Sequence, residues 1–345
     1  MHLNPDYVYD GKQYELGKLF VIRNVTDETA ALDQDVKDLI REERKVLAMA
    51  NPPDIGPGSH CTNPFTCEFY NECNKPLPVD HIANLPGITP KKLEELTSQG
   101  IGSIGKITKS FSLTERQRRA WECARTGKPW FGKGLKEALS ELGYPLYFMD
   151  FETLGVALPR YAGTSPYDAI LFQWSVHIQR KPGAELEHHE FLADNSNDPR
   201  PEFVKTLFQV IGKKGSILAY NSGFESGCLV SLAEWLPQYK GGIEDIQGRL
   251  WDPLPVIRAY VYDLAFRGSY SLKSVLPALV SGMSYDGMEV AEGNEAGLAW
   301  EKMLNAVAGS EERKRLRDAL LAYCKQDTLA MAKLLEVLCE HTRDQ

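Results

Sequence analysis

The spacing of apolar residues along the chain changes character at about Tyr144. Upstream the periodicity is helical and often interrupted. Residues 29–49 carry apolar side chains at three- and four-residue intervals and stop at Asn51-Pro-Pro-Asp, which predicts a helix with a hard end. The residues before it could supply two strands but no core of their own. Residues 56–76 are turn-rich. Thr89–Ser98 predicts a short helix, entered through Leu85-Pro-Gly-Ile88 and left through Gly100-Ile101. Residues 112–127 predict another, with Ser112 as N-cap and Glu115 as its capping-box partner, ended by Gly127.

Downstream the period shortens. Pro145–Phe151 is a short apolar strand, Ala169–Gln179 alternates as a longer one, and Glu185–Leu192 pairs with it. A helix over about 201–212, a buried strand at Gly215–Tyr220, a helix at Gly223–Leu236 and a brief strand or turn at Leu250–Leu254 come next. Helices then run over about 272–280, 294–308 and 311–341. Three strands in a meander, then strands alternating with helices, make an α/β sheet flanked by helices.

Composition adds limits. With 43% hydrophobic and 25% charged residues the chain is globular rather than disordered. No apolar run is long enough to span a bilayer, and the N-terminus has neither the basic start nor the apolar core of a signal peptide. A cytoplasmic protein without a membrane partner is the expectation, its cysteines thiols or metal ligands. The net charge of −8 disfavours polyanions, but its distribution does not: nine Lys/Arg against two acids give residues 106–136 a charge of +7, with Trp121, Trp130 and Phe131 interleaved. Arg116 and Arg119 there are candidate phosphate contacts. Three units are expected: 1–78, 79–140 and 141–345.

Three fragments carry candidate chemistry. Asp150 and Glu152 are two apart at the end of a strand, so both acids face one side. Leu218-Ala-Tyr-Asn-Ser-Gly-Phe-Glu225 runs from a buried strand into a helix, with Asn221 able to cap and Glu225 in the first turn. Tyr323 and Asp327 are four apart on a helix and share a face. Each has an ordinary explanation when taken singly: a solvated strand end, a carboxylate at a helix dipole, a buried Tyr beside a surface Asp.

Taken in order, they resemble the DEDD exonucleases of the ribonuclease-H-like, DnaQ-like group. The first motif of that family, Asp-x-Glu, is matched by Asp150 and Glu152. The second, Asn-x-x-Phe-Asp, is matched by Asn221, Phe224 and Glu225, with Glu where the family has Asp. The third, Tyr-x-x-x-Asp of the tyrosine subclass, is matched by Tyr323 and Asp327. The resemblance covers about residues 144–340 and implies a mixed sheet of ribonuclease-H-like type. It also implies 3′–5′ hydrolysis of DNA or RNA phosphodiesters with two Mg²⁺ or Mn²⁺ ions held by Asp150, Glu152, Glu225 and Asp327, Tyr323 orienting water. Hard cations prefer such oxygen donors. Arg267 and Lys273, in the segment ahead of the Ser271-Leu-Lys helix start or on it, are candidate phosphate contacts, as is Asn221.

The upstream region has its own resemblance. Cys61, Cys67 and Cys73, each separated by five residues, suggest a bound metal or cluster. Their surroundings resemble the cysteine triad of RecB-like nucleases, which implies a [4Fe–4S] cluster, or Zn²⁺ with His60, in what looks like a remnant of such a nuclease; His81 is a more distant donor. Leu85-Pro-Gly-Ile88 with Gly100-Ile101 is similar to a helix-hairpin-helix element. The arrangement resembles a bacterial family of unknown function that joins a RecB-like iron–sulfur nuclease to a DnaQ-like domain. Nucleic acid with single-stranded ends is the expected partner, with a second nuclease or a helicase beside it. The competing readings are a catalytically weak nuclease-like binding module and a phosphoesterase for small nucleotides.

Overall fold

The structure, a computed structural model, describes residues 1–51, 53, 55, 61, 65, 67–69, 73, 77–290 and 293–343. Five strands form the central sheet: β1 (Leu146–Gly155), β2 (Ala169–Gln179), β3 (Leu186–Leu192), β4 (Ile217–Leu218) and β5 (Leu250–Trp251). Their order across the sheet is β3-β2-β1-β4-β5. The meander β1-β2-β3 is antiparallel, whereas β4 and β5 run parallel to β1. The fold class expected for the downstream half is thus present as a mixed α/β sheet.

Ten helices of eight residues or more are seen among the described residues: α1 (Thr26–Leu47), α2 (Pro90–Ser98), α3 (Glu115–Thr126), α4 (Arg200–Val210), α5 (Gly223–Trp235), α6 (Lys240–Gln247), α7 (Pro253–Tyr260), α8 (Leu272–Leu279), α9 (Gly293–Asn305) and α10 (Glu311–Arg343). None is long and apolar enough to cross a membrane.

Alternation along β1 sorts its side chains onto two faces. Tyr147, Met149 and Phe151 join Phe203, Leu207, Leu229 and Ile243 in a core with α4, α5 and α6. Phe148 points the other way, into a core with Met331, Leu335 and Leu338 of α10. Asp150 and Glu152 succeed Phe148 at two-residue steps, so they face α10 as well. That second core also contains Ile82, Leu85, Leu96, Ile104 and Trp121. These residues of the 79–140 stretch therefore share a hydrophobic core with the sheet.

Local signals account for most helix ends. Thr89 caps α2 through Lys92 N–H at 3.4 Å. The capping box of α3 uses Thr114 and Gln117, two residues beyond the expected pair Ser112 and Glu115. Gln117 is preferred because its Nε2 also reaches Pro86 O at 3.2 Å in the hairpin. Gly268, at φ +78°, is packed so closely on Asn84 that a Cβ there would come within 2.6 Å of Asn84 O. The hairpin is thereby joined to the turn that leads into α8.

The N-terminal segment does have a small core: Tyr7, Tyr9 and Leu19 are buried beside a two-residue ladder, His2–Leu3 with Phe20–Val21. It is bonded to the loop after β1, Tyr9 N–H to Thr164 O at 2.9 Å and Tyr14 Oη to Pro159 O at 3.0 Å. Helix α1 comes next, with none of its residues buried.

Candidate active site

Where β1 passes the acids, its pairing with β2 slips. Glu152 lies opposite Gln173 and Thr153 opposite Leu171, which leaves Phe172 as the extra residue. Such a bulge bends a strand and re-aims the side chains beyond it. Phe172 stacks on Trp300 of α9, centroids 4.5 Å apart and planes 8° off parallel. Trp300 Nε1–H donates to Ala193 O at 2.7 Å. The bulge thus seats α9 over the end of β1, and Gly297 allows the approach, since a Cβ there would sit 3.1 Å from Leu154 Cδ1.

The result is a cleft of about 800 Å³ lined by Asp150, Glu152, Phe224, Glu225, Lys273, Leu298, Tyr323 and Asp327 among others. The four acids read from three separate fragments line one cavity, as does Tyr323. The tightest grouping is Asp150, Glu152 and Cys324, whose donor atoms all lie within 4.8 Å of one another. Cys324 Sγ–H donates to Asp150 Oδ2 at 3.4 Å. Asp327 accepts a short hydrogen bond from Tyr285 Oη at its Oδ1.

Glu225 sits in the first turn of α5 and is only 5% exposed, yet its Oε2 has no hydrogen-bond partner. The turn that delivers it differs from the expectation. Asn221 does not cap the helix through its side chain; it takes the left-handed conformation at φ +62°, and Ser222 is the N-cap residue. Gly223 has no positive φ, so the tight turn belongs to Asn221. Asp252 fixes that turn, its Oδ1 accepting from Asn221 N–H at 2.9 Å and Leu254 N–H at 2.9 Å, its Oδ2 from Ser222 N–H at 3.0 Å. Nothing in the strand–helix motif signals this carboxylate, although Asp252-Pro253 is a recognisable helix start.

Burial and charge crowding act on all four acids. Burial, then the charges of Asp327, Glu152 and Glu225, hold the Asp150 carboxyl well above its ordinary range. Burial and Asp327 do the same to Glu152, against the pull of Lys273. Burial pushes Glu225 up to about 7 and Asp327 up to about 6, the latter despite the Tyr285 hydrogen bond. A cleft that burdens four acids in this way, with one buried carboxylate oxygen unpartnered, fits a site that takes up cations. The donors are mainly carboxylate oxygens, as a hard divalent ion requires.

Other expected contacts divide. Lys273, second residue of α8, holds its Nζ 5.7 Å from the ring centroids of both Tyr285 and Tyr323, inside the cleft. Arg267 Nη1 donates to Leu77 O at 3.1 Å, bracing the chain beside the hairpin. Arg119 is committed within the protein: it bonds Ala259 O at 2.5 Å, pairs with Glu115 and lies 4.2 Å over Trp130. Arg116 is exposed. Cys61 is buried while Cys67 and Cys73 are exposed. Among the described residues these thiols form no group within 4.8 Å comparable to that at Asp150. His60 lies outside the described residues, and His81 Nδ1 accepts from Ala83 N–H at 3.2 Å.

A family model described as a domain of unknown function, DUF2779, matches residues 147–271. That span holds Asp150, Glu152, Glu225 and Asp252 but stops short of Tyr285, Tyr323 and Asp327. No curated protein and no solved structure matches the chain.

The residues that the motifs did not announce are Asp252, Tyr285 and Cys324. Cys324 lies inside the Tyr323–Asp327 fragment, one position after Tyr323, where helical rotation brings it under Asp150. Tyr285 lies on an irregular segment with no periodicity to read.

Proposed function

We propose that the protein is a metal-dependent 3′–5′ exonuclease that hydrolyses phosphodiester bonds of DNA or RNA. The observation that carries the reading is the convergence of Asp150, Glu152, Glu225 and Asp327 on one cleft with Tyr323 and Lys273. The strand order β3-β2-β1-β4-β5, antiparallel only within the meander, supports a ribonuclease-H-like sheet, and the acids stand on its central strand, on the face turned toward α10.

Asp150, Glu152, Glu225 and Asp327 would hold two Mg²⁺ or Mn²⁺ ions. Bound there, the ions would supply a reactive water and neutralise charge on the leaving oxygen. The chain's own residues contribute the rest. Burial and the nearby acids drive the Tyr323 phenol far above its ordinary value. It therefore keeps its proton and acts by hydrogen bonding, orienting a water rather than deprotonating it. Lys273 brings a positive charge to the cleft wall, where a phosphate would meet it. Phe224 and Leu298, 47% and 56% exposed, give the mouth an apolar surface on which a terminal base can rest.

The test is degradation of an end-labelled single strand with Mn²⁺ by the wild type and Asp150→Asn. The wild type should shorten the strand from its 3′ end and the variant should leave it intact. Equal degradation by both would end the proposal.

A further inference from the structure

Between α8 and α9 the chain runs through Ser281-Gly-Met-Ser-Tyr285-Asp-Gly-Met-Glu-Val290 without regular structure. Two glycines with positive φ, Gly282 and Gly287, bracket its centre. The segment is nevertheless fixed. Gln326 Nε2 on α10 donates to Ser284 O at 3.2 Å, and Arg315 Nη1 pairs with Glu289 at 2.6 Å. Tyr285 and Val290 are buried in the apolar cluster under α9.

The ring of Tyr285 belongs to that cluster, but its hydroxyl does not. It leaves the apolar side and donates to Asp327 Oδ1. The ring of Tyr323, one helical turn before Asp327, lies 6.4 Å away, and Lys273 Nζ faces both rings. Asp327 is thus met by phenols from two directions. One is local to its helix and the other comes from a residue 42 positions earlier.

A carboxylate on a short side chain rotates easily about its last torsion, and can offer a cation either oxygen or both. A donor fixed on Oδ1 ends that freedom and sets the direction of Oδ2. We propose that Tyr285 is a positioning residue for cation binding: it holds Asp327 by Oδ1 so that Oδ2 is presented to a divalent ion. This rests on the reading of the cleft as a cation site. It concerns a residue outside the matched stretch, residues 147–271.

The experiment is calorimetric titration of the full chain with MnCl₂, for wild type, Tyr285→Phe and Tyr323→Phe. Tyr285→Phe keeps the buried ring and removes only the hydroxyl. Groups that orient ligand side chains typically contribute about 10–100-fold, so its Kd for Mn²⁺ should rise at least about tenfold. Tyr323→Phe should move the Kd less. In the strand-degradation assay the Tyr285→Phe deficit should shrink as Mn²⁺ is raised, whereas the Tyr323→Phe deficit should persist at saturation. A Tyr285→Phe protein that binds Mn²⁺ with the wild-type Kd overturns the assignment and leaves the cation site standing. A wild type that binds no Mn²⁺ overturns the site and the assignment together. Should Tyr285→Phe not fold, Gln326→Ala, which frees the loop at Ser284, should raise the Kd in the same direction. An unchanged Kd there would also overturn the assignment.

Discussion

Asp150→Asn should make the metal-free protein more stable while removing its response to metal. Asp150 and Glu152 donors lie within 4.8 Å of each other. At an effective dielectric of about 20, two full charges at that distance repel by about 3.5 kcal/mol. Asp327 and Glu225 act in the same direction, and burial adds to the cost of ionising Asp150. Asparagine preserves the shape and carries no charge. At about 2.1 cal/mol/K per residue, 345 residues convert that relief into a rise in Tm of as much as about 5 °C. Mn²⁺ at about a hundred times its Kd stabilises a binder by about 2.7 kcal/mol, or about 4 °C on the same scale. In a thermal scan at about pH 8 with chelator, the variant should melt above the wild type; with excess Mn²⁺ the wild type should climb and the variant stay in place. A variant that melts lower without metal, or gains as much with it, would refute the electrostatic account of the cleft.

Two more predictions use the same scans. The folded carboxyls of Glu225 and Asp327 lie above their ordinary values, so between about pH 4 and 7 the native state binds more protons than the unfolded chain. That contribution to stability is present at low pH and lost as pH rises through about 7; for Glu225, moved from 4.5 to about 7, it is on the order of 3 kcal/mol. His177 and His188, lowered to about 3 and about 4 by burial, act oppositely, as stability gained while pH rises toward 6.5. The difference between Mn²⁺-loaded and metal-free Tm cancels the histidines; it should widen from about pH 5 to about pH 8, and a constant difference would contradict the shifts. Separately, Thr328 is fully buried and bonds His177 Nδ1 at 2.7 Å and Ser175 Oγ at 2.8 Å. Thr328→Val should cost about 1–3 kcal/mol in urea unfolding and Thr328→Ser much less; equal stabilities would remove this network from the fold.

The sheet was legible because its signal is local. The alternation of Ala169–Gln179 marks β2 with its observed bounds, and the apolar run at Pro145–Phe151 locates β1. The expected strand stops at Phe151, whereas β1 runs four residues further, the last three of them past the bulge at Phe172, where pairing rather than composition keeps them in the sheet. Helices α6 and α7 have no counterpart in the sequence reading: Gly241-Gly242 and Pro253/Pro255 have poor helix propensity, and tertiary packing of Ile243, Ile246 and Ile257 outweighs it. The basic stretch was visible as charge, but charge does not say which side chain is already engaged. Arg119 looked like a phosphate contact and is instead engaged with the α7 backbone and Trp130. The site was legible as three fragments; what holds them was not, because Asp252 and Tyr285 act across long sequence separations on a turn and a single oxygen.

The same distinction bears on the one departure from the motif, Glu at 225 where an Asp is expected. In sequence, a first-turn Glu is explained by the helix dipole alone, and that explanation requires a solvated side chain near the helix N-terminus. Here the side chain is buried, its Oε2 is unpartnered, and burial raises its carboxyl to about 7. A carboxylate placed only to complement a dipole would gain nothing from that burial and would lose hydration. Asp252 sets the turn so that α5 begins with Glu225 directed into the cleft, and the longer side chain extends from that start toward Asp150, Glu152 and Asp327. Uptake of a cation would offset the cost of that position, which makes the cation titration of this cleft the measurement on which both the longer acid and its neighbours turn.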